Sequence, residues 1–281
     1  MDCVSFATGL NAALRPLIRE VFMECVGVRF AHGPKIYDYR FSSLAPPVDS
    51  WVVVRTGRGL ELARVRTEPH LGNAVGEVVR IATPEDLDQQ ASLKNRGQEV
   101  QWWLKARLRR EGIQAKVLGC EFTLDGSHIS VHYSAEERID LRRWVNELNK
   151  LAGARVEFIA LGPRDQTAYL GTLGACGMES CCSTWLQDFV QVSIKMARDQ
   201  QLPLSPEKVS GPCGRLLCCL QYEHDHYQEL LADLPRKNTK ACSIQGTCGK
   251  VAKLNPLAGT VDLITEEGSW VTVHKSELRK E

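Results

Sequence analysis

No Cys-x-x-Cys knuckle occurs anywhere in these 281 residues, although eleven of them are cysteine. That absence counts against the common zinc ribbon, whose tight knuckle holds two residues between its ligands. Glycine loops of the Walker or Rossmann type are missing, as is a zinc-protease histidine pair, so catalysis has no positive signal and a non-enzyme is expected. Charge of one sign is also lacking. The 35 basic and 34 acidic residues leave a net charge of +1, too little for a general nucleic-acid coat, though a local basic patch is compatible with it. No apolar run is long enough to span a bilayer. Residues 1–18 carry Phe6, Leu10, Leu14, Leu17 and Ile18 without the compact apolar stretch and cleavage pattern of a secretory signal, so a cytoplasmic location is the expectation. A hydrophobic fraction of 43% with 25% charged residues is ordinary for a folded chain and argues against long disorder.

What the chain does have is a repeated cysteine word. Cys176-Gly177-Met178-Glu179-Ser180-Cys181-Cys182 recurs 37 positions later as Cys213-Gly214-Arg215-Leu216-Leu217-Cys218-Cys219. Cysteines clustered in this way, and not spread as a disulfide framework, point to metal binding, redox chemistry or burial in a reducing compartment. Thiolates are soft ligands, so an iron-sulfur cluster or zinc is the first reading for Cys176, Cys181, Cys182, Cys213, Cys218 and Cys219. Both double cysteines fall at a predicted helix start, where unpaired amide hydrogens favour a ligating thiolate. Adjacent cysteines suit different corners of a polynuclear cluster better than one small ion. The four-residue gap resembles the first step of the plant-type cluster pattern. Redox-active thiols and packed structural cysteines are the competing readings.

The expected fold class is α+β. An N-terminal extension (1–23) precedes a small antiparallel β unit or open barrel (24–75), with strands around Val26 to Phe30, Trp51 to Val54 and Leu60 to Val65. His32-Gly33-Pro34 and Gly57-Arg58-Gly59 supply turns, and Glu68 to Gly76 is read as a link. Residues 76–165 predict a ferredoxin-like β-α-β-β-α-β unit. Its strand Glu77 to Ala82 leads through Thr83 and Pro84 into a long helix to about Glu111, with Gly97 as a weak point. A hairpin (Gln114 to Phe122, His128 to Tyr133), a helix opened by a Ser134/Glu137 capping box, and a strand from Arg155 to Leu161 complete it. A cysteine-rich helical module (166–235) has helices predicted from Thr184 to Gln200 and from Leu216 to Leu234. A small β-barrel or meander (236–281) closes the chain, with strands Gly249 to Leu254, Thr260 to Thr265 and Trp270 to His274.

Weaker candidates surround these. Cys242 and Cys248 are compatible with completing a ligand set, but a loop before a barrel often carries such residues without function. Cys3, Cys25 and Cys120 are isolated and expected to be buried. His224 lies on an apolar stripe and reads as a core histidine, with His226 beside it as the other imidazole candidate. Trp102 and Trp103 beside Lys105, Arg107, Arg109 and Arg110 suit RNA by stacking and phosphate contact, or else form a solvated amphipathic helix. Arg142 and Arg143 beside Trp144 are a weaker instance.

The stretch Gly171 to Glu223, with Cys-Cys-Ser-Thr (Cys181 to Thr184), Val-Ser-Ile-Lys-Met-Ala (Val192 to Ala197) and Ser-Gly-Pro-Cys-Gly-Arg-Leu-Leu-Cys-Cys-Leu (Ser210 to Leu220), closely resembles the bacterial YaaT family. That family, also called RicT, is defined by the polymerase-suppressor C-terminal domain. Val26-Gly27-Val28-Arg29-Phe30 and Thr56-Gly57-Arg58-Gly59-Leu60-Glu61-Leu62 match it too, so the likeness covers roughly residues 24–235. The resemblance implies a non-enzymatic regulatory adaptor with a stage-zero sporulation role, working with two small helical partner proteins. It implies four-iron four-sulfur (4Fe-4S) clusters held by cysteines, here the six of the two words. It also implies an influence on messenger RNA processing by the membrane-anchored ribonuclease Y, which makes any membrane association indirect. The alternatives are a zinc-stabilised nucleic-acid-binding module and a thiol redox protein. Met178, Glu179 and Ser180 stand where the family usually has Arg-Pro-Leu, and the segment with Cys242 and Cys248 departs from the family's glycine-rich basic tail.

Overall fold

The computed structural model describes residues 23–279 apart from 32, 33, 43 and 138. Most of the expected N-terminal extension, Cys3 included, lies outside those residues, as do His32 and Gly33 of the expected first turn. The chain divides into two compact units, Met1–Gln187 and Asp188–Glu281.

The first unit opens with strands β1 (Met23–Arg29), β2 (Ile36–Arg40), β3 (Trp51–Arg55), β4 (Leu60–Val65), β5 (His70–Gly72) and β6 (Gly76–Ile81). They form one sheet in the order β2-β6-β3-β4-β1-β5, and a further β1–β2 pairing closes five of them into a barrel with β5 appended. Val26, Val28, Val52, Val54, Ala63 and Val65 alternate inward and are buried as its core. A small sheet or open barrel is expected over residues 24–75; the barrel is instead closed by the β1–β2 pairing and takes in β6 from beyond residue 75, and β2 and β5 are strands the periodicity does not mark. His70–Gly72 pairs with Met23 to Cys25 where a link was expected.

The expected ferredoxin-like unit is not formed as a four-stranded sheet. Its first strand, β6, belongs to the barrel, antiparallel to β3 and parallel to β2, so both of its edges are satisfied there. After β6 the chain forms α1 (Pro84–Arg110), β7 (Ala115–Phe122), β8 (His128–Ala135), a 3₁₀ turn at Arg142–Trp144, α2 (Val145–Ala152), β9 (Arg155–Ala160) and α3 (Pro163–Leu170). The sheet has three strands in the order β7-β8-β9, the first pair antiparallel and the second parallel across the α2 connection. Ser134 does not cap a helix, because Lys116↔Ser134 and Ala115↔Ala135 keep β8 extended. Leu93, Val100, Leu104 and Leu108 of α1, at helical spacing, bury against Val117, Ile129, Val131 and Val156, with Trp144 and Leu148 closing the layer. Gly97 is not a weak point. A Cβ there would sit 2.3 Å from the Cys120 carbonyl oxygen, so the glycine lets helix and sheet approach closely. Cys25 and Cys120 are buried as expected, and burial reinforced by Glu121 pushes the Cys120 thiol up to about 12.

The start of α1 has the capping box that Thr83 and Pro84 announce, with Asp86 as its acid. Asp86 accepts from the Thr83 amide at 2.8 Å and from the guanidinium of Arg80. Arg80 first, then that amide, hold the Asp86 carboxyl well below the usual carboxylate range. A carboxyl lowered on folding adds stability above its unfolded value of about 3.9, and that stability is lost as pH falls toward the folded value. Asp86→Ala is therefore expected to cost about 2 kcal/mol near neutral pH. In urea melts the gap from wild type should narrow by about pH 3; a gap independent of pH would contradict the assignment.

The second unit carries α5 (Ile194–Asp199) and α6 (Pro206–Val209). They are followed by α7 (Cys218–Tyr222) and α8 (His224–Ala232), with α4 (Cys181–Thr184) preceding in the first unit. The helix expected from Thr184 to Gln200 is absent as one piece: the backbone leaves helix at Trp185 and resumes only after Ser193. Val190 and Val192, β-branched, disfavour the helix in between. The helix expected from Leu216 breaks at Glu223. Ala197, Val209 and Leu220 form a small core here. A four-stranded meander of β10 (Lys240–Cys242), β11 (Cys248–Asn255), β12 (Thr260–Ile264) and β13 (Trp270–His274) ends the chain, one strand more than expected. Its core is Val251, Val261, Leu263 and Val273, joined by Leu234.

No helix among the described residues is long and apolar enough to cross a membrane.

Candidate functional site: two cysteine words

Each word folds into the same local device. In the first, a bridge pairs Leu173 with Glu179; in the second, 37 positions on, a bridge pairs Ser210 with Leu216. Gly174 donates to the Met178 carbonyl at 2.8 Å, and Gly211 to that of Arg215 at 2.8 Å. Gly177 donates to Gly174 at 3.0 Å, and Gly214 to Gly211 at 2.9 Å. Ser180 closes on Thr172 at 2.8 Å, and Leu217 on Val209 at 2.9 Å. The turn requires a left-handed residue directly after the first cysteine, with φ of 79° at Gly177 and 73° at Gly214, where any side chain is strained. Each hairpin then delivers its double cysteine as the first two residues of a short helix, α4 or α7. The glycines at matched positions were readable in the sequence; their role as the frame of the device was not.

Cys176 is exposed, Cys181, Cys213, Cys218 and Cys219 are half-buried, and Cys182 is buried at 4% exposure; all six are thiols. Around the first word, Ser180 and Ser183 share a hydroxyl hydrogen bond of 2.8 Å. Glu179, Ser183, Thr172 and Leu173 line a cavity of about 490 Å³ with Arg29 and Tyr169. Tyr169 donates to Glu121 at 2.6 Å; burial first, and the Glu121 charge next, keep its hydroxyl protonated well above the usual range. Around the second word, Gln200 donates to the Leu220 carbonyl at 2.5 Å, tying α7 to the end of α5. His224, half-buried at the start of α8, has a buried Nδ1 with no hydrogen-bond partner among the described residues, so it is not the satisfied core histidine expected. His226 is exposed.

The donor chemistry of both words suits a soft metal or cluster: three thiols within seven residues on a hairpin-helix frame. Among the described residues, no three His, Cys, Asp or Glu side chains are already gathered to hold a metal ion. Neither word by itself therefore presents a finished site, and a four-ligand cluster needs donors from beyond one word.

Cys242 and Cys248 are not part of a ligand set. They face each other across β10 and β11 and form a disulfide, with Cα atoms 4.1 Å apart. Alkylation under denaturing conditions without reductant should label the word cysteines and leave these two unlabelled. Reduction should destabilise the terminal meander by roughly 2 kcal/mol, the loop-closure value for so short a loop. Full labelling of all cysteines before reduction would contradict the pairing.

A mixed α+β scaffold bearing two copies of one cysteine hairpin defines the class of protein by its repeat. The chain belongs to the PSP1 family: the PSP1 C-terminal conserved region matches residues 76–161, and the third domain of PSP1-like proteins matches residues 191–234. It is similar to the stage 0 sporulation protein YaaT of Bacillus subtilis (strain 168), with 36% identity over 250 residues, covering 86% of this chain and 90% of that protein. No solved structure matches the chain.

Proposed function

We propose that this chain is a non-catalytic regulatory adaptor whose cysteine words ligate an iron-sulfur cluster of the 4Fe-4S type, and that it acts with small helical partner proteins on messenger RNA processing by an enzyme of the ribonuclease Y kind. The observation that carries the reading is the repetition, bond for bond, of one hairpin that ends in a double cysteine. Packed structural cysteines have no need of the same frame twice, whereas ligands do, because a cluster fixes the direction from which each thiolate approaches. Cys176, Cys181, Cys182, Cys213, Cys218 and Cys219 are the proposed ligand pool. When bound, the cluster would supply a redox- and oxygen-sensitive anchor; the chain's own part is to present thiolates and shield them. The relative's name places it in sporulation, which accords with a regulatory role.

The cellular test is complementation. In a bacterium lacking its own relative, mapping of messenger RNA 5′ ends should show ribonuclease Y cleavage sites restored by the wild-type chain and not by one with all six word cysteines changed to serine. Equal restoration by both would overturn the cluster's role, and failure of the wild type would overturn the adaptor reading.

A further inference from the structure

Of the residues on α1 that suit nucleic acid, the fold removes some and groups the rest. Trp103 turns into the core layer, and Arg107 is committed to Glu111 and Glu147. Trp102, Lys105 and Arg109 remain, at spacings of three and four residues and so on one face of the helix. Trp102 is 65% exposed, which is unusual for so large an apolar surface. Gln101, beside it, donates to the Val117 and Leu118 carbonyls at 3.1 and 2.8 Å and so pins this helix face alongside the edge strand β7. From the last turns of α1 a groove of about 980 Å³ runs past the start of β7 to Ser134 at the end of β8 and to Leu161, and its charged lining is Lys105, Arg109 and Lys116 against Glu136 alone; Trp102, one helical turn before Lys105, stands just outside that lining. None of the three cations is in an ion pair among the described residues. Its floor, from Leu108, Ile113 and Val117, is apolar, and Gln166 adds an amide at the rim.

We propose that this groove between α1 and β7 binds single-stranded nucleic acid, with Lys105, Arg109 and Lys116 on successive phosphates and Trp102 stacking on a base at the groove's end. Three uncommitted cations in one open channel hold a chain of negative charges more readily than a single anion. The Arg109 guanidinium matches the fork of phosphate oxygens. An acidic protein segment would use the cations equally but has no planar group for the exposed indole, whereas every base has one. The near-neutral total charge is no obstacle, since the field that matters is local to the groove. This site is independent of the cysteine words and of any cluster.

The test is fluorescence anisotropy of the full-length chain with labelled oligouridylate and oligothymidylate across a salt series, with polyglutamate as competitor. Binding should weaken with salt. Lys105→Gln/Arg109→Gln/Lys116→Gln should lower affinity at least about tenfold and flatten the log-log salt slope by about 2, since each phosphate contact on a single strand contributes roughly 0.7. Trp102→Ala should weaken binding about five- to 150-fold with the slope unchanged, and Trp102→Phe should retain most of it. Arg110→Gln, on the same helix but outside the groove, should have less effect than Arg109→Gln. Because Lys105 is half-buried, Arg109→Gln/Lys116→Gln serves as the milder variant, with circular dichroism confirming the fold. RNA and DNA arms that differ identify the preferred strand. No binding at low salt, an unchanged slope in both multiple variants, or displacement by polyglutamate together with indifference to Trp102→Ala would overturn the proposal.

Discussion

Gly97→Val should be among the most damaging single substitutions in the first unit, costing about 3 kcal/mol. Two effects oppose each other at this position. A side chain in place of glycine gains up to about 1 kcal/mol of helix propensity, which would stabilise an exposed helix. Against it, the new Cβ meets the Cys120 carbonyl oxygen at 2.3 Å, well inside contact distance and against backbone that cannot rotate away. Helix and sheet must then separate along a layer that buries Val100, Leu104 and Ile129. The clash wins, so even Gly97→Ala should destabilise. Urea unfolding followed through Trp103 and Trp144 fluorescence in that layer reads the effect. A stabilised Gly97→Ala protein would show that α1 does not approach β7 as described.

Replacing either Cys213 or Cys218 with serine should remove most of the visible colour of anaerobically purified protein, and with it most of the iron. Serine preserves size and hydrogen bonding but offers a hard alkoxide in place of a soft thiolate. The change therefore separates ligation from packing. The matched backbone of the first word makes Cys176→Ser and Cys181→Ser the corresponding pair. Cys25→Ser and Cys120→Ser serve as controls: both thiols are buried in barrel or sheet, and their loss should alter stability without altering colour. Undiminished colour in both Cys213→Ser and Cys218→Ser would remove those residues from the ligand pool.

Much of this architecture is legible in the sequence because its signals are local. Alternating valines mark the barrel strands, Thr83-Pro84 with the acids after it marks the start of α1, and Asp125-Gly126 marks the β7–β8 hairpin. The cysteine words are legible for the same reason. What misleads is partner choice. Gly76–Ile81 reads as a strand before a helix in a ferredoxin-like unit as well as in a barrel, and only the pairing with β2 and β3 decides. The run Trp185, Phe189, Val192, Met196 has helical spacing by coincidence; its β-branched residues and Ser193 interrupt the helix that spacing suggests. Cys242 and Cys248 look like spare ligands because their cross-strand register depends on the turn between them. Within the candidate site, the six cysteines are legible in the sequence alone. Gly177 and Gly214 are legible as matched letters of the two words, but their left-handed φ is not, and Lys116 joins the groove beside α1 only through the place of β7 in the fold.

Metal analysis with an absorption spectrum on oxygen-protected protein decides whether the duplicated hairpins bind the proposed cluster. The expected result is a brown protein containing iron and acid-labile sulfide in equal amounts, with a broad thiolate-to-iron band at roughly 400 nm that bleaches in air. Stoichiometric zinc without iron, or a colourless protein with neither metal after anaerobic isolation and reconstitution, would contradict cluster binding.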